Sequence, residues 1–334
     1  MSYSLSILDK SPVADGASAH DALRFSVRLA RRAEALGYRR YWFAEHHGAS
    51  VLASSAPEIV AAHVLAQTSR IRVGTGGVML QHYSPFKVAE AFRVLAALAP
   101  GRVDLGVGKA PGGLPLTTRA LQSRHDKARK LQFPELLAEL DAFLGDGVAA
   151  DHPLAGAQAL PTPPELPDRI LLGGSPESAE LAARHGWLFC YAGHFNGDEA
   201  NIGRSIETYR RLTGRAPLLA LFGFAAATRA EALARVGALR LFKVTLATGQ
   251  SVNLPSAEAA AEFARQAGVA DYTLAELKPH VAAGTAADVR AELDALHERF
   301  GVDEFVIDTP VVDYAARYAS CEALASVVQQ AVPA

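Results

Sequence analysis

The feature that most restricts the fold is an alternation, repeated along the chain, of short apolar runs with longer stretches whose apolar residues recur at helical spacing. A strand covered on both faces reads as a continuous apolar run, which is how strands of a parallel sheet are written. Ser4–Leu8 is the first run, followed by a helix over Ala19–Leu36, in which Ala22, Phe25, Leu29, Ala33 and Leu36 share a face until Gly37 ends it. A strand over Tyr41–Glu45 leads to helix Pro57–Thr68, strand Ile71–Met79 to helix Pro85–Leu98, and strand Val103–Val107 to a helix near Phe133–Leu144. A polar, Pro-rich stretch, Asp146–Pro167, separates these from strand Arg169–Leu172 with helix Pro176–His185 and strand Leu188–Tyr191 with helix Asp198–Leu212. Strand Leu218–Ala226 is followed only much later by helix Ala286–Phe300, and Glu304–Asp308 is the last strand before a final helix near Tyr314–Val328.

Eight such units predict an α/β fold: a closed (β/α)8 parallel barrel with helices outside, because parallel strands need helical crossovers. A doubly wound open sheet is the alternative. The insertion after strand seven, about residues 228–284, includes Ala230–Leu241, a Gly249–Pro255 loop and Ala257–Ala267. An insertion of that size at the carboxyl face of a barrel predicts a functional lid.

Composition narrows the function. With 33 basic against 35 acidic residues and no basic run, the chain has no field to hold a polyanion, so nucleic acid is excluded as an expected partner. Half the residues are hydrophobic and a fifth charged, which suits a large core with a buried small-molecule site. Cys190 and Cys321 make no disulfide framework, and no CxxC or Cys/His spacing suggests zinc. No charged leader with an apolar run follows Met1, and no stretch approaches the roughly 18 apolar residues of a membrane span. The expectation is a cytoplasmic protein with no membrane association.

The carboxyl ends of the strands carry the chemistry. The second ends in Glu45-His46-His47; neighbours on a strand point to opposite sides, so His46 shares the side of Ala44, His47 that of Glu45, and at most one of them faces the barrel mouth. The plainer alternative is a core histidine packed on Trp42 or Phe43. His82 and His194 follow other strands and could approach, but the first strand lacks the His-x-His of metal-dependent barrels, so no metal is expected. Gly173-Gly174-Ser175-Pro176-Glu177-Ser178 reads either as an anion site, with Gly174, Ser175 and Ser178 around a helix N-terminus, or simply as a well-capped helix start. Lys109, in a glycine-rich loop after strand four, tips the balance towards a phosphate, although Ala110 after it rules out a P-loop and no GxGxxG occurs. Gly76-Gly77 is either a backbone platform for a flat ring or a strand-end turn.

Taken together, these residues resemble the bacterial-luciferase-like flavin monooxygenases, a family of TIM barrels. The resemblance covers nearly the whole chain, as a single domain over 1–334, and rests on Leu5–Pro12, Tyr41–His47, Arg72–Leu80 with Ser84-Pro85, Gly101–Gly108 and Gly174–Ala179. It implies reduced FMN as a co-substrate and molecular oxygen, which together oxidise a small organic substrate through a flavin hydroperoxide, with a separate reductase supplying the flavin. His46 matches the histidine of the flavin oxidation chemistry, Gly76-Gly77 the non-proline cis pair behind the ring, and Lys109, Ser175 and Ser178 the phosphate contacts. A homodimer is implied by the resemblance alone. Two departures stand out: Lys109 replaces a frequent Arg and lacks its bidentate fork, and Gly108 stands where the light emitters carry a cysteine, so light emission is not implied. A deazaflavin-dependent oxidoreductase on the same barrel, and a flavin-binding protein with little catalysis, are the other readings.

Overall fold

The computed structural model describes residues 3–126, 131–194 and 197–329. In chain order the elements are β1 (Ser4–Asp9), α1 (Ala19–Ala35), β2 (Arg40–Phe43), α2 (Pro57–Leu65), β3 (Arg72–Thr75), β4 (Val78–Met79), α3 (Pro85–Leu98), β5 (Val103–Gly108), α4 (Pro115–Leu121) and α5 (Phe133–Leu144). They continue with β6 (Asp168–Gly173), α6 (Pro176–Arg184), β7 (Leu188–Ala192), α7 (Glu199–Thr213), β8 (Leu218–Ala225), α8 (Arg229–Val236), β9 (Leu241–Leu246), β10 (Ser251–Leu254) and α9 (Ala257–Ala267). The last are β11 (Tyr272–Leu277), β12 (Ala282–Gly284), α10 (Ala286–Phe300), β13 (Glu304–Asp308) and α11 (Tyr314–Gln329).

Strands β1, β2, β3, β5, β6, β7, β8 and β13 pair in that order, all parallel, and β13 pairs back onto β1, so the expected eight-stranded barrel is closed. The third apolar run is broken: β3 stops at Thr75, Gly76-Gly77 intervenes, and β4 resumes pairing beside β5 with Val78 against Val107. Outward residues such as Leu5, Tyr41, Phe43, Val73, Leu105 and Phe305 pack against the helices in the main core. Inward residues alternate with them and form a smaller core of Leu8, Trp42, Ala44, Ile170, Cys190, Leu218, Ala220 and Val306. The helices follow from their ends as much as from their faces. In α1, Ser18 and Asp21 cap each other, while Ala22, Phe25, Leu29 and Ala33 are buried. No helix among the described residues is long and apolar enough to cross a membrane.

The insertion is more structured than its sequence suggested. Ser251–Leu254, read as part of a loop, is strand β10, and β10, β9 and β11 form an antiparallel sheet of their own. Helix α9 covers that sheet through Val244, Leu246, Ala260, Phe263 and Ala264, with Leu114 packed against the cluster. In the segment that follows β5, Pro115 starts helix α4. The backbone amide of Leu116 and the Arg119 guanidinium both donate to Gln266, each at 2.8 Å, so the insertion that leaves β8 reaches the segment that follows β5. It thus passes over the carboxyl face of the barrel.

Candidate active site

The strand order fixes where the sequence-predicted residues stand. Glu45-His46-His47 leaves β2, Gly76-Gly77 leaves β3, Lys109 leaves β5, and Gly173 to Ser178 joins β6 to α6; these strands are consecutive neighbours in the barrel. All of these residues therefore stand at the carboxyl face, in one arc.

His46 follows the inward Ala44, as its parity requires. Its backbone amide donates to the Ser54 carbonyl at 2.9 Å, while its Nδ1 is buried without a hydrogen-bond partner among the described residues. A buried polar atom without a partner is costly, so this atom is open to a group that binds beside it. Burial, with the positive charge of Lys10 second, brings the His46 pKa down from 6.5 to about 4, although the Asp308 carboxylate opposes this. His194, at the end of β7, is brought down to about 4 by burial; Asp308 opposes that fall, while Lys10 and His46 add to it. These four groups act on one another from the ends of β1, β2, β7 and β13. Lys10 Nζ is 2.5 Å from Asp308 Oδ2 and 5.0 Å from the centre of the Phe222 ring, and His194 meets the same ring edge-on at 5.8 Å. At neutral pH the mouth therefore carries two neutral imidazoles beside one closed ion pair. A neutral imidazole holds one proton and one lone pair, which suits it to pass a proton on.

His47 and Glu45 take the other side of the strand end, and His47 Nε2 donates to Glu45 Oε1 at 2.7 Å. Of the two histidines, His46 is thus the one at the mouth.

The Gly76–Gly77 peptide is cis. A Cβ on Gly76 would come within 2.7 Å of Leu8 Cδ1 and 3.1 Å of Trp42 Cε3, and one on Gly77 within 2.8 Å of the Gly106 carbonyl oxygen. Only glycine lets this backbone settle on the inward side chains and on β5.

At the β6–α6 junction, Ser175 Oγ accepts from the Ser178 amide at 3.4 Å, and Pro176 begins the helix. A Cβ on Gly173 would sit 2.4 Å from Ser178 Cβ, so glycine there lets the first helical turn close onto the strand. Gly173, Gly174, Ser175 and Ser178 are all half-buried. Asn201 of α7, which the sequence reading did not single out, donates from Nδ2 to the Gly174 carbonyl and the Tyr191 hydroxyl, each at 2.7 Å. Lys109, one strand away, is exposed and makes no ion pair among the described residues. A helix N-terminus, two hydroxyls and a cation at the ends of adjacent strands are groups of the kind that can hold an anion.

Lys10 joins His46 from the end of β1 and His194 from the end of β7; residues 195–196 lie outside the described residues. Lys10 and Asp308 had no distinct signal of their own, since a charge at the end of a strand becomes informative only when its neighbour across the barrel is known.

Known proteins decide the family. A model of the luciferase-like monooxygenases matches residues 1–304. The chain belongs to the luciferase-like monooxygenase family. An N-acetyl-S-alkylcysteine monooxygenase of Bacillus subtilis (strain 168) is 40% identical over 328 residues, covering 97% of this chain and 98% of the relative. Among solved structures, apo-MsnO8 superposes with a TM-score of 0.75 at 31% identity over 98% of each chain. The oxygenating constituent of 3,6-diketocamphane monooxygenase from Pseudomonas putida, solved with FMN, shares the fold at a TM-score of 0.69 and 18% identity, covering all of this chain and 99% of the other. An F420-dependent secondary alcohol dehydrogenase does so at 0.67 and 15%, covering 100% of both chains. Proteins solved with FMN and with F420 thus share this barrel fold, and the chain itself is a luciferase-like monooxygenase.

Proposed function

We propose that the chain oxygenates a small organic substrate with reduced FMN and molecular oxygen, and that His46 is the group that handles the proton. The observation that carries the reading is the buried, unpartnered Nδ1 of His46 at the mouth, on the strand next to Gly76-Gly77. The residues fit FMN in two further respects. The Gly76-Gly77 backbone has no side chain to block a flat ring, and Lys109, one strand further round, with Gly174, Ser175 and Ser178, two strands further round, offers an anion site.

Bound reduced flavin would supply the electrons that activate oxygen. The rest falls to the chain. Lys109 and the two serine hydroxyls, at the N-terminus of α6, would hold the phosphate. Leu8, Trp42 and Ala44 close the floor of the site against water. The insertion, about 228–284, is a lid on a single-domain enzyme. His46, kept neutral, gives or takes a proton at Nδ1, and the Lys10–Asp308 pair beside it holds the local charge balanced.

The substrate class to test first is a thioether, because the relative named above acts on N-acetyl-S-alkylcysteines. The same reading expects a separate flavin reductase, a homodimer and a cytoplasmic location. Anaerobic titration with reduced FMN, oxidised FMN and reduced F420, followed by labelled oxygen and an N-acetyl-S-alkylcysteine, tests it. Preference for reduced FMN and a singly labelled sulfoxide support the reading. Binding of F420 alone turns it into a deazaflavin enzyme, and flavin retention with no oxygen-dependent product, across a wider substrate panel, turns it into a binding protein.

A further inference from the structure

The sequence singled out Glu45, His47 and His82, and the proposed chemistry uses none of them. They are not scattered. Glu45, 1% exposed, accepts from three donors: His47 Nε2 at 2.7 Å and Tyr83 Oη at 2.8 Å on Oε1, and the Met79 amide at 3.1 Å on Oε2. That arrangement fixes the end of β2 against the segment that follows β4.

The same layer then holds the 109–113 loop through three successive carbonyls. Gln81 Nε2 donates to the Ala110 carbonyl at 2.5 Å, His82 Nε2 to the Pro111 carbonyl at 2.8 Å, and the His47 amide to the Gly112 carbonyl at 2.7 Å. The His82 ring has one workable tautomer. Gln122 Nε2, just past α4, donates to His82 Nδ1 at 3.1 Å and to the Gln81 carbonyl at 3.0 Å, so the His82 proton must sit on Nε2, facing Pro111. Burial pushes the His82 pKa down, which agrees with a neutral ring. The loop backbone also fits closely: a Cβ on Gly113 would be 2.6 Å from the His47 carbonyl oxygen. By contrast, the first residue of the loop, Lys109, is exposed and bound to none of this layer.

A loop whose backbone is held at three consecutive residues, while the cation at its start is left to the solvent, is built to place that cation. We propose that Gln81, His82 and the Glu45-anchored His47 are positioning residues for Lys109, setting its charge at the phosphate end of the flavin opposite the α6 N-terminus. The inference rests on the FMN reading above. It explains how a single lysine, without the two-pronged grip of an arginine, is given a fixed approach: the backbone supplies the orientation that the side chain lacks.

The test compares anaerobic binding of reduced FMN with that of reduced riboflavin, which lacks the phosphate. Wild type, Lys109→Ala, Gln81→Met, His82→Phe and the double variant of Lys109→Ala with Gln81→Met are titrated by fluorescence, with thermal melts as a folding control. Gln81→Met keeps length and removes the donor, so it remains informative where His82→Phe fails to fold. The expected result is about a 10-fold loss of FMN affinity in Lys109→Ala and a loss of several-fold in Gln81→Met and His82→Phe. Riboflavin binding stays within twofold of wild type, and Gln81→Met adds nothing once Lys109 is gone. Equal weakening of both ligands, additive losses in the double variant, or unchanged FMN binding would each overturn the positioning role. A wild type that does not distinguish the two ligands overturns the FMN assignment itself, and the inference with it, which is a separate outcome from failure of the variants alone.

Discussion

The two ends of the barrel interior are both polar, yet they are finished differently. At the amino end, Arg40, with a side chain 3% exposed, donates to Glu304 at 2.9 Å, Asp104 at 2.9 Å and Asp168 at 3.2 Å. Arg72 donates to Asp104 at 2.8 Å and pairs with Asp168 at 3.0 Å, while Trp42 Nε1 takes the other Asp104 oxygen at 2.8 Å and Ser6 Oγ donates to Glu304 at 2.6 Å. The charges there are caught in a network of ion pairs and hydrogen bonds. At the carboxyl end, Lys10 and Asp308 form one pair, two imidazoles are held neutral, and His46 Nδ1 has no hydrogen-bond partner among the described residues. A buried polar network that is complete specifies a structure, whereas one left open in the same barrel keeps a place for a ligand. The amino end reads as scaffold and the carboxyl end as site, the division expected of this architecture.

The comparison breaks first, and most visibly, at Arg40. Arg40→Ala removes the buried cation shared by Asp104 and Glu304, leaving Asp104 to Arg72 and Trp42 and Glu304 to Ser6 and the more exposed Arg39, and a loss of about 3–5 kcal/mol in unfolding free energy is expected by urea titration. A loss below about 1 kcal/mol would mean that the amino end is not the structural plug described.

Acid should instead act through the carboxyl end. His46 and His194 titrate at about 4 in the folded chain against an ordinary 6.5, so the unfolded chain takes up protons in that interval and the folded chain does not. Stability is full above pH 6.5 and is lost as pH falls towards 4, on the order of 1–3 kcal/mol for each imidazole. His46→Gln should remove about half of that slope in urea titrations at pH 7, 5.5 and 4.5; an unchanged slope would place the acid sensitivity elsewhere.

Lys10→Met sharpens the same point. With the cation gone and Asp308 left, the pKa values of His46 and His194 should both rise by about one unit, read from their ring proton shifts in NMR titrations. Values that stay put would separate Lys10 from the histidines. The smallest effect on stability is expected at exposed Lys109, where Lys109→Ala should change unfolding free energy by no more than about 0.5 kcal/mol while weakening reduced FMN about 10-fold. A large stability loss there would make Lys109 part of the scaffold.

The difference between the ends also explains what the sequence disclosed. The barrel was legible because strands buried on both faces are apolar runs, and Glu304–Asp308 and Phe133–Leu144 agree with their sequence bounds residue for residue. Strand parity set His46 and His47 on opposite sides, the resemblance singled out His46, and the β6–α6 turn was legible from its Gly, Ser and Pro. The amino-end network was not, because its members are spread from Ser6 to Glu304, although a charge opens or nearly opens β2, β3, β5, β6 and β13 alike. The layer under the 109–113 loop was hidden for the same reason: Gln81, His82 and Gln122 meet carbonyls, which no residue type announces. In the insertion, Leu241–Leu246 does alternate, with Val244 and Leu246 buried and Lys243 exposed, and Gly249 takes the positive φ of a hairpin turn; that period of two was the available signal for the missed sheet.

The most direct test of the central claim is single-turnover oxygenation by wild type and His46→Ala, each loaded anaerobically with reduced FMN and an N-acetyl-S-alkylcysteine and then mixed with 18O-labelled oxygen. The account predicts one labelled oxygen atom in the wild-type product, and reduced-FMN affinity in the variant within about threefold of wild type but labelled product formed at least about 100-fold more slowly. A variant as fast as wild type, or one that has lost reduced FMN altogether, would contradict the assignment of His46 as the proton-handling group of an open site.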